Sequence, residues 1–421
     1  MCSIASNGLG RAPFFAADPE GVPGAADNPL AVPMLTVGMV LVALALVGHA
    51  ALWVGVVNRW HATGFRRWIV KTVTLAFYAA LIAIPPAVAA YLAPRYATSW
   101  QAADVVGELN WATAYVAFCA AYGAVHLSVW AVQRPKAGRL PRGVRRRSDR
   151  VVDVAEQLGA SPASGLRARL FCRIPFNQLW QLHLGEFEVA VPGLPRSLEG
   201  VSICHLSDLH YCGRIDRTYF DEVVRLTNAM RPDLIVLTGD ICDRRQYIEW
   251  IPATLGRLEA RLGKFFILGN HDLRTRAIGT LRDAMRDAGF TDVGGRHETL
   301  RDAPIMVAGN ERPWFRSGVP SLEDVPSEVL RILLAHTPDQ LKWARASSFD
   351  LMFAGHTHGG QIWLPVIGAP IVPSFHGQKF ARGHVKDAGI DVFVSSGIGT
   401  SILPFRFMVT PEIAVVTIRS E

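Results

Sequence analysis

Three long apolar stretches in the first third of the chain constrain the fold more than any other feature. Residues 33–57, 69–92 and 109–132 each exceed the roughly 20 residues needed to cross a bilayer core. Their only Lys, Arg, His, Asp or Glu residues are His49 in the first, Lys71 near the start of the second and His126 near the end of the third. Trp53, Trp60, Trp68, Tyr91, Trp100, Trp111 and Trp130 lie near the ends, where interfacial aromatics sit. Mean hydropathy is positive, +0.21. Together these features exclude a wholly water-soluble chain and predict three transmembrane helices. A cleaved leader is not expected: the first 32 residues set one Arg against Asp18, Glu20 and Asp27, the wrong charge for a signal sequence. His49 and His126 are expected to be neutral and packed between helices, because the spans contain no acidic partner.

The charge is concentrated. Of 43 basic and 36 acidic side chains, net +7, the run 134–150 (RPKAGRLPRGVRRRSDR) holds eight basic and one acidic. The rest of the chain is therefore neutral, which argues against a diffuse nucleic-acid-binding surface. The run also has no interleaved aromatics for stacking on bases. It reads instead as a lipid-facing collar and topology marker. The first inter-span loop carries Arg59, Arg66, Arg67 and Lys71 without an acid, and the second sets Arg95 against Asp104 and Glu108. Positive-inside logic then predicts a multi-pass inner-membrane protein with its N-terminus outside and residues after the third span in the cytoplasm. Six cysteines without a C-x-x-C pair exclude a disulfide framework or thiolate metal site.

From about residue 186 the pattern changes to short Val- and Ile-rich runs alternating with amphipathic stretches, an α/β pattern. Expected strands are 186–191, 201–206, 233–238, 264–268, 304–308, 331–335, 351–354, 391–395 and 412–418. Expected helices are 217–230, 247–262, 275–288 and 338–347. Five of the strands end alike, in an acidic, amide or imidazole residue, usually beside glycine. VSICHLSDLH delivers Asp208 and His210, DLIVLTGD Asp240, and KFFILGNHD Asn270, His271 and Asp272. RILLAH delivers His336, and DLMFAGHTH His356 and His358. Loops at the carboxyl ends of strands converge on one rim of an α/β sheet. The resulting oxygen and nitrogen donor set suits Mn, Fe, Zn or Mg, and is large enough for two divalent ions. Such a pair can clamp both oxygens of a phosphoryl transfer and lower the pKa of a water.

The order D-x-H, G-D, G-N-H-D, H, G-H-x-H resembles the calcineurin-like metallophosphoesterase superfamily. GHTHGGQ at 355–361, the stretch 377–383 and GIGTS…P-x-R…PEI at 397–413 resemble its bacterial membrane-associated branch, which includes UDP-2,3-diacylglucosamine pyrophosphatase-type enzymes. The resemblance implies a two-sheet sandwich flanked by helices. It implies that Asp208, His210 and His358 hold one metal, that Asp240 bridges, and that Asn270, His336 and His356 complete the second. By the same resemblance His271 protonates the leaving group or stabilises developing charge, and Asp272 orients His271. Gly239, Gly269 and Gly355 would permit tight backbone.

The expected organisation is an N-terminal tail (1–32), a three-span region (33–133), a basic connector (134–185) and a metallophosphoesterase domain (186–421). The expected substrate is a lipid-linked phosphodiester or pyrophosphate such as UDP-2,3-diacylglucosamine, as in lipid A biosynthesis, with no nucleic acid as partner. Alternatives are a membrane-tethered phosphodiesterase or nuclease acting on a soluble substrate, and a non-catalytic membrane scaffold. Outside the motif, His205 is expected in the core, and Cys212 and Cys242 as structural residues. His376 is the best loop histidine for substrate contact, ahead of His297 and His384. Asn310, Arg312, Arg244 and Arg245 could contact substrate or serve only turns and solvent.

Overall fold

The computed structural model describes residues 31–96, 110–133, 140–316, 319–326, 328–401 and 403–421. Most of the expected N-terminal tail, Trp100, and the basic residues Arg134, Lys136 and Arg139 lie outside them. Three helices occupy the apolar stretches: α1 (Ala31–His61), α2 (Arg67–Tyr96) and α3 (Trp111–Gln133). Their most apolar windows are only 11% to 17% buried, so the valines and leucines face outward, as lipid-facing helices require. Pro85 and Pro86 lie inside α2 without ending it.

The chain divides into two compact units, Met1–His49 with Ala87–Val125, and Ala50–Pro86 with His126–Glu421. In the first, α1 and α3 touch backbone to backbone. A Cβ on Gly48 would lie 1.8 Å from the Cys119 carbonyl oxygen, and one on Gly123 would lie 2.1 Å from that of Leu44. Close approach through small residues is how helices associate where lipid removes the hydrophobic drive. His49 Nδ1 pairs with the Tyr115 hydroxyl at 2.7 Å, so it is packed between helices as expected.

The second unit contains two sheets. The strands are β1 (Val144–Asp153), β2 (Gln181–Val191), β3 (Ser202–Leu206), β4 (Leu234–Thr238), β5 (Gly263–Ile267), β6 (Phe290–Asp292) and β7 (His297–Thr299). They continue as β8 (Ile305–Asn310), β9 (Leu330–Ala335), β10 (Leu351–Ala354), β11 (Gly383–Asp387), β12 (Ile390–Val394) and β13 (Glu412–Ser420). The seven-stranded sheet runs β1-β2-β13-β3-β4-β5-β6 and the six-stranded sheet β11-β12-β10-β9-β8-β7. Both are mixed, with parallel centres: β3 to β6 in one, and β8, β9, β10 and β12 in the other.

Alternation along each strand builds the layers. In β4, Leu234 and Val236 face the core between the sheets with Ile332 and Phe353, while Ile235 and Leu237 face Tyr219, Phe220 and Met285 of the flanking helices. On the opposite side, Leu333 and Met352 pack on Leu341 and Ala344. The expected sandwich flanked by helices is therefore the observed fold.

Two expectations are corrected. The connector 134–185 contains β1, which pairs antiparallel with β2 from Val144↔Val189 to Asp153↔Gln181. The sheet thus begins inside the basic run. As an edge strand, β1 can carry charge toward water, and Arg145 meets Glu188 of β2 at 2.6 Å. The expected helix 247–262 breaks into short turns at Arg245–Tyr247, Trp250–Ala253 and Leu255–Arg257. Pro252 and Gly256 interrupt it.

Candidate metal centre

The carboxyl ends of β3, β4, β5, β9 and β10 meet on one rim and bring the seven expected donors together. Asp208, His210 and His358 offer ligand atoms within 4.8 Å of one another, and so do Asp240, His336 and His356. His358 Nε2 lies 3.3 Å from Asp208 Oδ1 and 2.9 Å from His210 Nε2. His336 Nε2 lies 3.3 Å from Asp240 Oδ1 and 3.1 Å from Asn270 Oδ1. Asp240 stands between the groups, its other oxygen, Oδ2, 3.6 Å from His210 Nε2. It is thus placed to bridge.

The backbone here is strained. Asp208, His210, Asp240, His356 and His358 all have φ between 51° and 70°, a region that side chains other than Gly, Asn or Asp rarely adopt. Three histidines in that region, with two aspartates beside them, form a cluster of the kind found at functional sites. The strain is held by hydrogen bonds: Asp208 N donates to Gly239 O (3.0 Å), His210 N to Asp240 O (2.9 Å) and His356 N to Asp208 Oδ2 (3.0 Å). Gly355 must lack a side chain, since a Cβ there would lie 1.9 Å from Ser207 Oγ and 2.4 Å from Asp208 Oδ2.

The donor set fits divalent ions. All seven side chains are buried or nearly so, yet His356 Nε2 is buried without a hydrogen-bond partner, an atom a metal would satisfy. Burial lowers the His336 pKa, but the Asp240 carboxylate more than reverses this and raises it to about 9. The clustered carboxylates thus favour positive charge, which two divalent ions supply more strongly than protons.

One expected role is corrected. Asp272 does not hold His271. Its Oδ1 accepts from the Ile241 and Cys242 amides at 2.9 and 2.8 Å, and its Oδ2 from Gly269 N at 2.7 Å. It therefore ties the β4 loop to the β5 loop. His271 Nδ1 instead meets Asp243 Oδ1 at 3.1 Å, and the same oxygen meets His210 Nδ1 at 2.8 Å. Burial raises the Asp243 pKa, but His210 and His271 overcome it and hold the carboxyl well below its ordinary range. Burial pushes His271 down to about 4, leaving it a neutral imidazole.

Sequence reasoning missed four residues. Asp243 follows Asp240 by three positions, in GDICD, and that short spacing was the available signal. Arg274, three residues after His271, donates to Asp243 Oδ2 at 2.9 Å and to His271 Nε2. Trp314 stands against His356 and His336 with ring centroids 4.7 and 5.3 Å apart. Arg406, read only as part of P-x-R, is fully buried and donates to Gly397 O and Gly399 O, behind His358.

The remaining residues resolve simply. His205 is a core residue, its Nε2 on Thr238 Oγ1 at 2.9 Å. Asn310 caps a turn through Arg312 N at 3.0 Å, and Arg244 and Arg245 are exposed. His384 lies in β11, stacked on Phe393 of β12, and His297 opens β7, so neither is the loop residue expected; His376 lies against Phe380. Cys212 and Cys242 are buried and free.

Residues 201–360 match the family model for calcineurin-like phosphoesterases. The chain is 32% identical over 238 residues to the uncharacterized metallophosphoesterase YkuE of Bacillus subtilis, covering 54% of this chain and 82% of that protein. It is 27% identical over 222 residues to phosphodiesterase YaeI of Escherichia coli, covering 51% and 80%. Over 259 residues it is 26% identical to a zebrafish (Danio rerio) transmembrane protein with metallophosphoesterase domain, covering 56% of each chain.

Proposed function

This chain belongs to the calcineurin-like metallophosphoesterase family and is a metal-dependent phosphoester hydrolase associated with a membrane; from that premise we propose how its residues divide the work. Asp208, His210 and His358 would hold one divalent ion, Asn270, His336 and His356 would hold the other, and Asp240 would serve both. The observation that carries this reading is the position of Asp240, with Oδ1 toward His336 and Oδ2 toward His210. When bound, the ions supply charge to the phosphoryl oxygens and acidify the attacking water.

His271 faces the same rim as a neutral imidazole, oriented through Nδ1 by Asp243. Arg274 places a cation at its Nε2, where charge on the departing oxygen can be met. Asp272 acts through the backbone, fixing the loops that carry Asp240 and Asn270.

The scissile bond in this reading is a phosphodiester or pyrophosphate of a lipid-linked molecule, and the domain works on the cytoplasmic face. The basic run and the arginine-rich first loop support that side. Turnover by the purified full chain with Mn²⁺ on bis-p-nitrophenyl phosphate, cyclic nucleotides, DNA and UDP-2,3-diacylglucosamine tests the reading. Hydrolysis of the first, abolished by Asp240→Asn, is expected. DNA turned over as fast as the lipid would remove the lipid assignment, and unchanged activity of Asp240→Asn would remove the site.

A further inference from the structure

The metal centre's rim is tied to the membrane helices at three places, all within the larger unit. In the loop joining α1 and α2, Gly64 approaches Pro313 so closely that a Cβ would lie 2.7 Å from the Pro313 carbonyl oxygen. The next residue, Trp314, is the one whose ring stands against His336 and His356. Asn58, buried near the end of α1, donates to Pro370 O at 3.2 Å and accepts from Val372 N at 3.0 Å. Trp130, near the end of α3, donates to Val366 O at 2.9 Å. Electrostatics agree with this proximity: after burial and the opposing pull of Asp243, Arg67 at the start of α2 further lowers the Arg274 pKa.

The surface beside these tethers is apolar. After residue 133, twelve large apolar side chains are exposed among the described residues, and nine of them fall at 166–176, 366–375 and Met408. In the second of these segments they are Val366, Ile367, Ile371 and Phe375. The segments adjoin: Trp363 N donates to Phe407 O at 2.9 Å, and the Phe176 and Phe407 rings meet edge to face at 6.4 Å. Exposed Arg167, Arg169 and Arg173 accompany them, and Arg382 lies over the Trp363 ring at 4.7 Å. Apolar side chains edged by arginine suit a leaflet interface with anionic headgroups. The strip also leads from the metal-ligand loop to the spans. A protein partner would not require that continuity, whereas the leaflet around the spans does.

We propose that 363–375 and 166–176 dip into the leaflet in which α1–α3 are anchored, and that with loop 62–66 they form a membrane-level mouth to the metal centre. A lipid-linked phosphoester reaches the centre through this mouth with its apolar tail still in the bilayer. This inference rests on the phosphoesterase reading above and specifies its substrate class. Loop 62–66 presents Trp314 to the rim, Arg66, Arg67 and Arg274 draw the phosphate, and Ile367 and Ile371 lie beside the tail.

The test uses full-length protein in phosphatidylcholine/phosphatidylglycerol vesicles with Mn²⁺ and two probes. One is hexadecyl p-nitrophenyl phosphate in the bilayer, and the other is bis-p-nitrophenyl phosphate in the water. The double change Ile367→Glu and Ile371→Glu is expected to lower the ratio of bilayer to soluble turnover about tenfold. An unchanged ratio, with both probes hydrolysed, overturns the mouth and leaves the phosphoesterase reading standing. A second arm reads the surface without turnover or substitution, by photolabelling the unaltered protein with a diazirine-tailed phosphatidylcholine. Labelled peptides from 363–375 and 166–176 are expected, and label confined to α1–α3 overturns the proposal even where neither probe is hydrolysed.

Discussion

In α1, Val37, Met39 and Val40 are exposed, whereas in β4 every residue from Leu234 to Thr238 is buried, although both segments are runs of aliphatic side chains. The composition is alike and the burial opposite because the surroundings differ. The spans meet lipid, so an outward Val costs nothing there, while the strands meet water and must turn their apolar side chains into layers. A second contrast follows. The spans contain few ionisable groups, while the rim at the strand ends concentrates aspartates and histidines in strained backbone. Stability resides in the buried layers, chemistry in the rim, and attachment in the outward-facing helices.

Substitutions can break that division, and the largest effect should come from the rim. Asp208→Asn should lower kcat/KM on bis-p-nitrophenyl phosphate roughly a thousandfold. Its unfolding midpoint should change little, because Asn tolerates the same backbone region at φ 54° and keeps an oxygen to accept from the His356 amide. Next, Asp243→Asn should cost about 10- to 100-fold in kcat by releasing His271 and His210. Asp272→Asn should instead lower the unfolding midpoint, because its oxygens hold three backbone amides.

The layers should respond in stability alone. Leu206→Ala, fully buried in β3, should cost about 2–5 kcal/mol in denaturant unfolding. Leu41→Ala, on the outward face of α1, should cost less than about 0.5 kcal/mol.

One further small effect depends on pH. His183 of β2 hydrogen-bonds Glu412 of β13, which raises its pKa, and Asp149 of β1 also pairs with it. Burial pushes Glu412 up, but His183 outweighs burial and leaves its pKa lowered. The histidine's contribution is full below its ordinary 6.5 and is lost as pH rises through its raised folded value. The glutamate's contribution is full above its ordinary 4.5 and is lost as pH falls through its depressed folded value. The pair is therefore strongest between those two values. His183→Gln should cost about 0.5–1 kcal/mol at pH 6 and little at pH 9, read by thermal unfolding at both pH values.

Much of this was legible in the sequence, for identifiable reasons. The spans needed only length and lack of charge, and the donors stood in short motifs at strand ends whose convergence follows from parallel pairing. Three kinds of feature were not legible. β1 was hidden because an edge strand tolerates Arg145, Arg146 and Arg147, which read as a connector. The partner of His271 was misread because Asp272 is adjacent in sequence, while Asp243 is brought to it by the β4 loop. Trp314 and Arg406 sit in no strand-end motif and reach the rim only through long-range packing.

A two-ion centre bridged by Asp240 can be tested without a natural substrate. Metal-stripped full-length protein titrated calorimetrically with Mn²⁺ should bind two equivalents. His356→Ala should keep one, and Asp240→Asn should lose high affinity for both. A single equivalent in the unaltered protein, or two retained by Asp240→Asn, would contradict the account.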